Sequence, residues 1–158
     1  MGIRKPDRNP DERGASLVEF AVLAPLLVIL VLGIVEFGWL FGQNNSLRHA
    51  TGEAARFASV NGGSSIAASD IAQRACNDLL GSGGITSIQA QVDNGSGAVG
   101  DDGTVTVTIE VESLSNAPII SSFLPSDLQS TSIFRLEQAP TWGDATIDLN
   151  PSTCAVIP

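Results

Sequence analysis

The sequence predicts an α+β chain. A long N-terminal helix crosses a membrane and continues into an extracytoplasmic domain, where a second helix and a small antiparallel sheet complete the fold. Three observations predict it. Residues 20–35 carry no charge, and apolar character resumes after Glu36 as far as Phe41. Beyond that run, apolar residues recur at helical spacing up to Asn61 and again up to about Leu80. Further on the period drops to two, which marks strands. The expected organisation is a leader peptide at 1–14, a transmembrane and extended helix at 15–60, and an extracytoplasmic α+β domain with a proline-rich tail at 61–158.

The leader is charged and contains Pro6 and Pro10, so residues 1–13 read as unstructured, with the helix starting near Ala15. The uncharged core at 20–35 falls short of the roughly 20 residues that span hydrocarbon. Leu17 and Val18 on one side and 37–41 on the other lengthen it enough. Its apolar character runs around the whole helix, which suits lipid better than the one-sided contact of a buried soluble helix. Glu36 is then expected near the outer interface, where Trp39 is also favoured, a second buried contact being the alternative. Pro25 lacks the N–H that would bond to Ala21, so a bend or local melting is expected there, unless neighbouring waters or side chains absorb it.

Orientation follows from the flanks. Arg4, Lys5, Arg8 and Arg13 precede the span, whereas Arg48 and Arg56 follow it closely, which places the N-terminus in the cytoplasm and the rest outside. A cleaved secretory signal fits less well, because the apolar run exceeds an h-region and no Ala-x-Ala site ends it.

Past the span, Leu47, Ala50, Ala54 and Phe57 form a stripe that excludes Arg48, Glu53 and Arg56, so one helix leaves the bilayer and lies against a domain. Asn61-Gly62-Gly63 ends it. A second helix, capped by Ser64-Ser65 or by Ser69-Asp70, runs to about Leu80 and buries Ile66, Ile71, Ala72, Ala75 and Leu79. Ile88, Ala90 and Val92 alternate with polar residues, as do Val105, Val107, Ile109 and Val111, with a long hairpin loop at 94–103 between them. An irregular crossover at 113–125 leads to a third strand at 130–137. An edge strand at 145–149 follows, within a tail holding Pro140, Pro151 and Pro158.

The net charge is −9, and four basic side chains face fourteen acidic ones beyond Gly14. Such a body is unsuited to nucleic acid, which is gripped by clustered Lys and Arg. Cys76 and Cys154 are the only cysteines, both on the outer side. Either they form a disulfide, closing a loop of about 78 residues worth on the order of 4–5 kcal/mol by chain entropy, or they are two buried thiols. With one histidine in the chain, they lack the ligand count for a metal site. His49 reads as a solvated helix residue. The acidic loop at 93–103 lacks EF-hand spacing, and no phosphate loop, zinc motif or nucleophile elbow is present. No catalytic residue, metal or cofactor is therefore expected.

Gly38-Trp39-Leu40-Phe41-Gly42 has the small-xxx-small spacing that lets membrane helices approach closely, or it reflects composition alone. Glu19 stands near the start of the apolar run, five residues after Gly14. A carboxylate in hydrocarbon is costly and is kept where a partner or a function compensates it. The alternative is a side chain that snorkels to the interface.

Three segments together resemble the TadE-like family of pseudopilins, which belong to the tight-adherence (Flp, type IV-like) pilus system. They are residues 13–27, RGASLVEFAVLAPLL; residues 33–38, GIVEFG; and residues 50–58, ATGEAARFA. Arg135-Leu136-Glu137 is a further point of likeness. The resemblance implies cleavage by a prepilin peptidase between Gly14 and Ala15 and insertion in the bacterial cytoplasmic (inner) membrane. It further implies pilus assembly or minor-pilin partners among other pilins and pseudopilins. In the processed chain Glu19 would lie about one helical turn from the new α-amino group of Ala15, or from that of a neighbouring subunit, and so set register. The region beyond the membrane is far longer than that of a small major Flp pilin, which favours an accessory role. From other classes, an anchored extracytoplasmic binding module that never joins a pilus is the competing function, and a secreted hydrolase is disfavoured by its missing residues.

Overall fold

A computed structural model describes residues 10–114, 122 and 124–158. The chain is α+β. Helix α1 (Pro10–Asn61) is followed by α2 (Ala68–Leu79) and by strands β1 (Ile85–Asp93), β2 (Asp102–Val111), β3 (Asp127–Arg135) and β4 (Ala145–Leu149). The strands form one antiparallel sheet in the order β3-β2-β1-β4. Most of the crossover expected at 113–125 lies outside the described residues, as does the leader up to residue 9.

Helix α1 starts five residues earlier than expected. Pro10 sits at its first position, where a proline's fixed φ suits the helix and its missing N–H costs nothing. Residues 10–13, expected to be unstructured, are therefore helical. The helix also runs through Pro25 without melting.

The second half of α1 is built into the domain. It packs on α2 along one side and on β3 and β2 along the other. Being sandwiched widens its buried stripe beyond Leu47, Ala50 and Ala54 to include Thr51, Ala55 and Ala58, with Phe57 partly buried. Thr51 tolerates this because its Oγ1 donates to the Leu47 carbonyl at 2.7 Å. The Ser59 hydroxyl donates to the Arg135 carbonyl at 2.9 Å, tying the far end of α1 to the end of β3.

Helix α2 buries Ile71, Ala72, Ala75, Cys76 and Leu79 on one face. Its N-cap is Ala67 rather than a serine, and the Asp70 carboxylate satisfies the cap by accepting the Ala67 N–H at 2.8 Å. In the sheet, Ile88, Ala90 and Val92 of β1 and Val105, Val107, Ile109 and Val111 of β2 point into the core. Val107 pairs with Ala90 on one side and Ser130 on the other. Strand β3 begins three residues before the expected position. Phe134 and, just past it, Leu136 point inward, while Ile133 faces solvent. Beyond β4 the tail folds back: Val156 bridges Leu149, and the Ile157 N–H donates to the Asp148 carbonyl at 2.9 Å.

Candidate membrane helix and its junction with the domain

The two halves of α1 have opposite surroundings. From Leu17 to Val35 every large apolar side chain is 38–72% exposed, and the most apolar stretch of the helix contributes nothing to the protein core. That excludes a buried soluble helix. A helix so apolar and so bare is stable only in an apolar medium. At roughly 1.5 Å per residue the bare part from Ala15 to Val35 rises about 32 Å, against about 30 Å of hydrocarbon in a bilayer. Helix α1 is thus long and apolar enough to cross a membrane.

The domain meets the helix abruptly at Glu36. This carboxylate is buried, with 1% of its surface exposed, so it makes a buried contact, the alternative that the sequence left beside an interfacial position. Its Oε1 accepts the Leu114 backbone N–H at 2.6 Å, 78 residues away in sequence. Glu36 lines a cavity of about 120 Å³ with Trp39, Leu40, Val111, Ser113, Leu124 and Pro125. The end of β2 reaches back over the helix, so protein covers this side chain while the neighbouring Phe37 stays exposed. Trp39 is likewise half-buried, its ring lying against Gly84. One turn further on, the buried Gln43 side chain donates to the Gly83 carbonyl at 2.9 Å. Nothing in the local sequence pointed from Glu36 to the Leu114 amide, which lies in an irregular segment 78 residues away.

The other expected site residues are placed as follows. Gly14, Ala15 and Glu19 are exposed on the bare half of α1, and the Gly14–Ala15 bond lies inside the helix rather than at its start. Gly38 and Gly42 face outward, and a Cβ at either would meet nothing within 4 Å. The small-xxx-small surface is therefore unoccupied among the described residues. Cys76 and Cys154 form a disulfide with Cα atoms 5.7 Å apart, joining α2 to the tail. Of the two readings left open by the sequence, the bonded one holds. Among the described residues there is no cluster of three or more metal-ligating side chains.

Among the described residues, one helix bare over the depth of a bilayer is embedded at its far end in a small α+β domain, the architecture of a protein that a single helix could anchor in a membrane. Residues 14–56 match the family model of TadE-like proteins, just over a quarter of the chain. This segment is TadE-like, as the resemblance implied, and the family is a pilus-associated structural one. The match covers the bare half of α1 together with most of its embedded half. Neither the curated proteins nor the solved structures contain a match to the chain.

Proposed function

We propose that the chain is a membrane-anchored pseudopilin or minor pilin of tight-adherence (Flp) pilus assembly, matured by a prepilin peptidase that cuts after Gly14. The observation that carries this reading is that the TadE-like match begins at Gly14 and falls on a helix bare for one bilayer's depth. Cleavage there leaves Ala15 as the first residue of the membrane helix. The N-terminus lies on the cytoplasmic side of the inner membrane, and the domain faces outward.

The residues divide the work. The scissile bond is helical, so a peptidase must unwind the turn around it, and Gly14 makes that easier by about 1 kcal/mol relative to alanine. Removing residues 10–14 exposes the N–H groups of a new helix start, where positive potential gathers. Glu19 lies one turn away and supplies the opposite charge, either to its own chain or to a neighbouring subunit. Gly38 and Gly42 offer a flat surface on which a second helix can approach closely.

Intact-mass measurement of the membrane-extracted protein tests the reading. The mature chain is expected to lack residues 1–14, and Gly14→Leu is expected to retain them. Recovery of wild-type protein beginning at Met1 overturns the processing. Normal pili in a strain lacking the gene would instead make the chain an anchored binding module.

A further inference from the structure

We propose that the domain has no stalk and sits directly on the outer leaflet, with Phe37, Phe41 and Leu114 inserted among the lipid headgroups. The inference rests on the membrane-spanning reading of α1 and adds the partner of the domain's base. Its ground is a mismatch between exposure and position. Phe37 and Phe41 lie on one face of α1, a turn apart, and are 61% and 77% exposed although the domain already surrounds the neighbouring Glu36 and Leu40. Leu114 is 58% exposed at the same level, fixed there by the hydrogen bond of its N–H to Glu36. Phe37 and Phe41, with Leu40 and Leu128, line an open apolar groove at this end of the domain.

The distances leave little choice of surroundings. Hydrocarbon ends near Val35, because the bare helix already matches its thickness. Headgroups add roughly 5–7 Å on each side. Phe37 stands about 3 Å beyond Val35, inside the headgroup layer, and Phe41 about 9 Å beyond it along the helix axis, just past that layer; helical side chains lean toward the N-terminus, so the Phe41 ring reaches back into it. The attraction is apolar rather than ionic. The arginines beyond the bare helix, Arg48, Arg56, Arg74 and Arg135, lie further along α1, on α2 or at the far end of β3, whereas Glu112 lines the cavity beside Glu36 and Asp127 adjoins Leu128 of the groove. Anionic lipid is not required, and zwitterionic lipid suffices.

The full chain, reconstituted in phosphatidylcholine vesicles, provides the test. Single cysteines carrying an environment-sensitive fluorophore are placed by Phe41→Cys and Leu114→Cys, with Leu23→Cys as the mid-span reference and Ile133→Cys as the water-exposed one; the native cysteines are bonded to each other and do not react. The labels at 41 and 114 are expected to emit at shorter wavelength than that at 133. Nitroxides near the headgroup are expected to quench them more than nitroxides at the acyl terminus, with the reverse at 23. Emission and quenching at 41 and 114 equal to those at 133, while the label at 23 remains quenched, overturns the seat and leaves the span standing. Loss of quenching at 23 overturns both. A blue shift at 41 and 114 that nitroxide lipids do not quench, and that grows with the protein-to-lipid ratio, also overturns the seat. It assigns the surface to a second copy.

Discussion

Gly84 lies so close to Trp39 that a Cβ added to it would come within 2.6 Å of the indole ring. The two residues bring the start of β1 against the turn of α1 where the domain begins. Gly84 also has a φ of +82°, a conformation that costs an L-residue about 1–2 kcal/mol. Gly84→Ala therefore combines backbone strain with displacement of a half-buried tryptophan. A loss of about 2–4 kcal/mol in unfolding free energy is expected in detergent micelles, with a change in tryptophan emission. Unaltered stability and emission would show that Trp39 does not pack there.

Glu36 makes a different kind of junction, between a buried carboxylate and the Leu114 amide. Hydrogen bonds to charged groups contribute roughly 1.5–3 kcal/mol. Glu36→Ala is expected to release the segment after β2 while leaving the sheet intact. Hydrogen exchange should accelerate at Leu114 and remain slow at Val107 and Ile109. Equal protection at Leu114 in variant and wild type would mean that the carboxylate does not hold this segment.

The Cys76–Cys154 bond closes a loop of 78 residues and holds the tail against α2. Cys76→Ala or Cys154→Ala should each lower stability by about 2–5 kcal/mol. The double variant should cost no more than either single one, since the two remove the same crosslink. Chemical denaturation under non-reducing conditions measures this; additive losses would argue that the sulfurs matter separately as packed groups.

Glu19 is expected to matter for assembly rather than for insertion. Glu19→Ala removes a charge from hydrocarbon, so membrane abundance should hold or rise, and the cleavage site is untouched. Pilus assembly should nevertheless fail, because an α-amino group in the bundle loses its counter-charge. Processing, protein level and surface pili are compared in wild-type, Glu19→Ala and Glu19→Gln cells. Full piliation in both variants at normal protein levels would return Glu19 to a snorkelling carboxylate.

What could be read in the sequence was what repeats along it. The alternation of Val105, Val107, Ile109 and Val111 locates β2, and the spacing of Leu47, Ala50 and Ala54 locates the embedded half of α1, because each pattern reports one face of one element. The bounds of β4 were legible for the same reason. Contacts between distant segments were not. Nothing near Glu36 announces Leu114, and nothing near Gly84 announces Trp39. Of the two caps the sequence offered for α2, Ser64-Ser65 and Ser69-Asp70, Asp70 takes part, but from three residues inside the helix, leaving the cap position itself free to be alanine. The early start of α1 had a signal, Pro10 at a first helical position, hidden by the charged residues around it. For Gly14, Glu19, Gly38 and Gly42 the limit is physical: each is exposed, so no contact within the chain speaks for or against the roles proposed for it.

The returning tail has a consequence for anchored chains living side by side. Confinement to a surface raises their local concentration, and an uncovered edge strand is a template on which another sheet can grow. Val156 and Ile157 cover the end of β4, at Asp148 and Leu149, close to the bond at Cys154. On the proposed placement of the domain outside the membrane, oxidation would fix the tail over that end of the sheet before neighbours crowd against it.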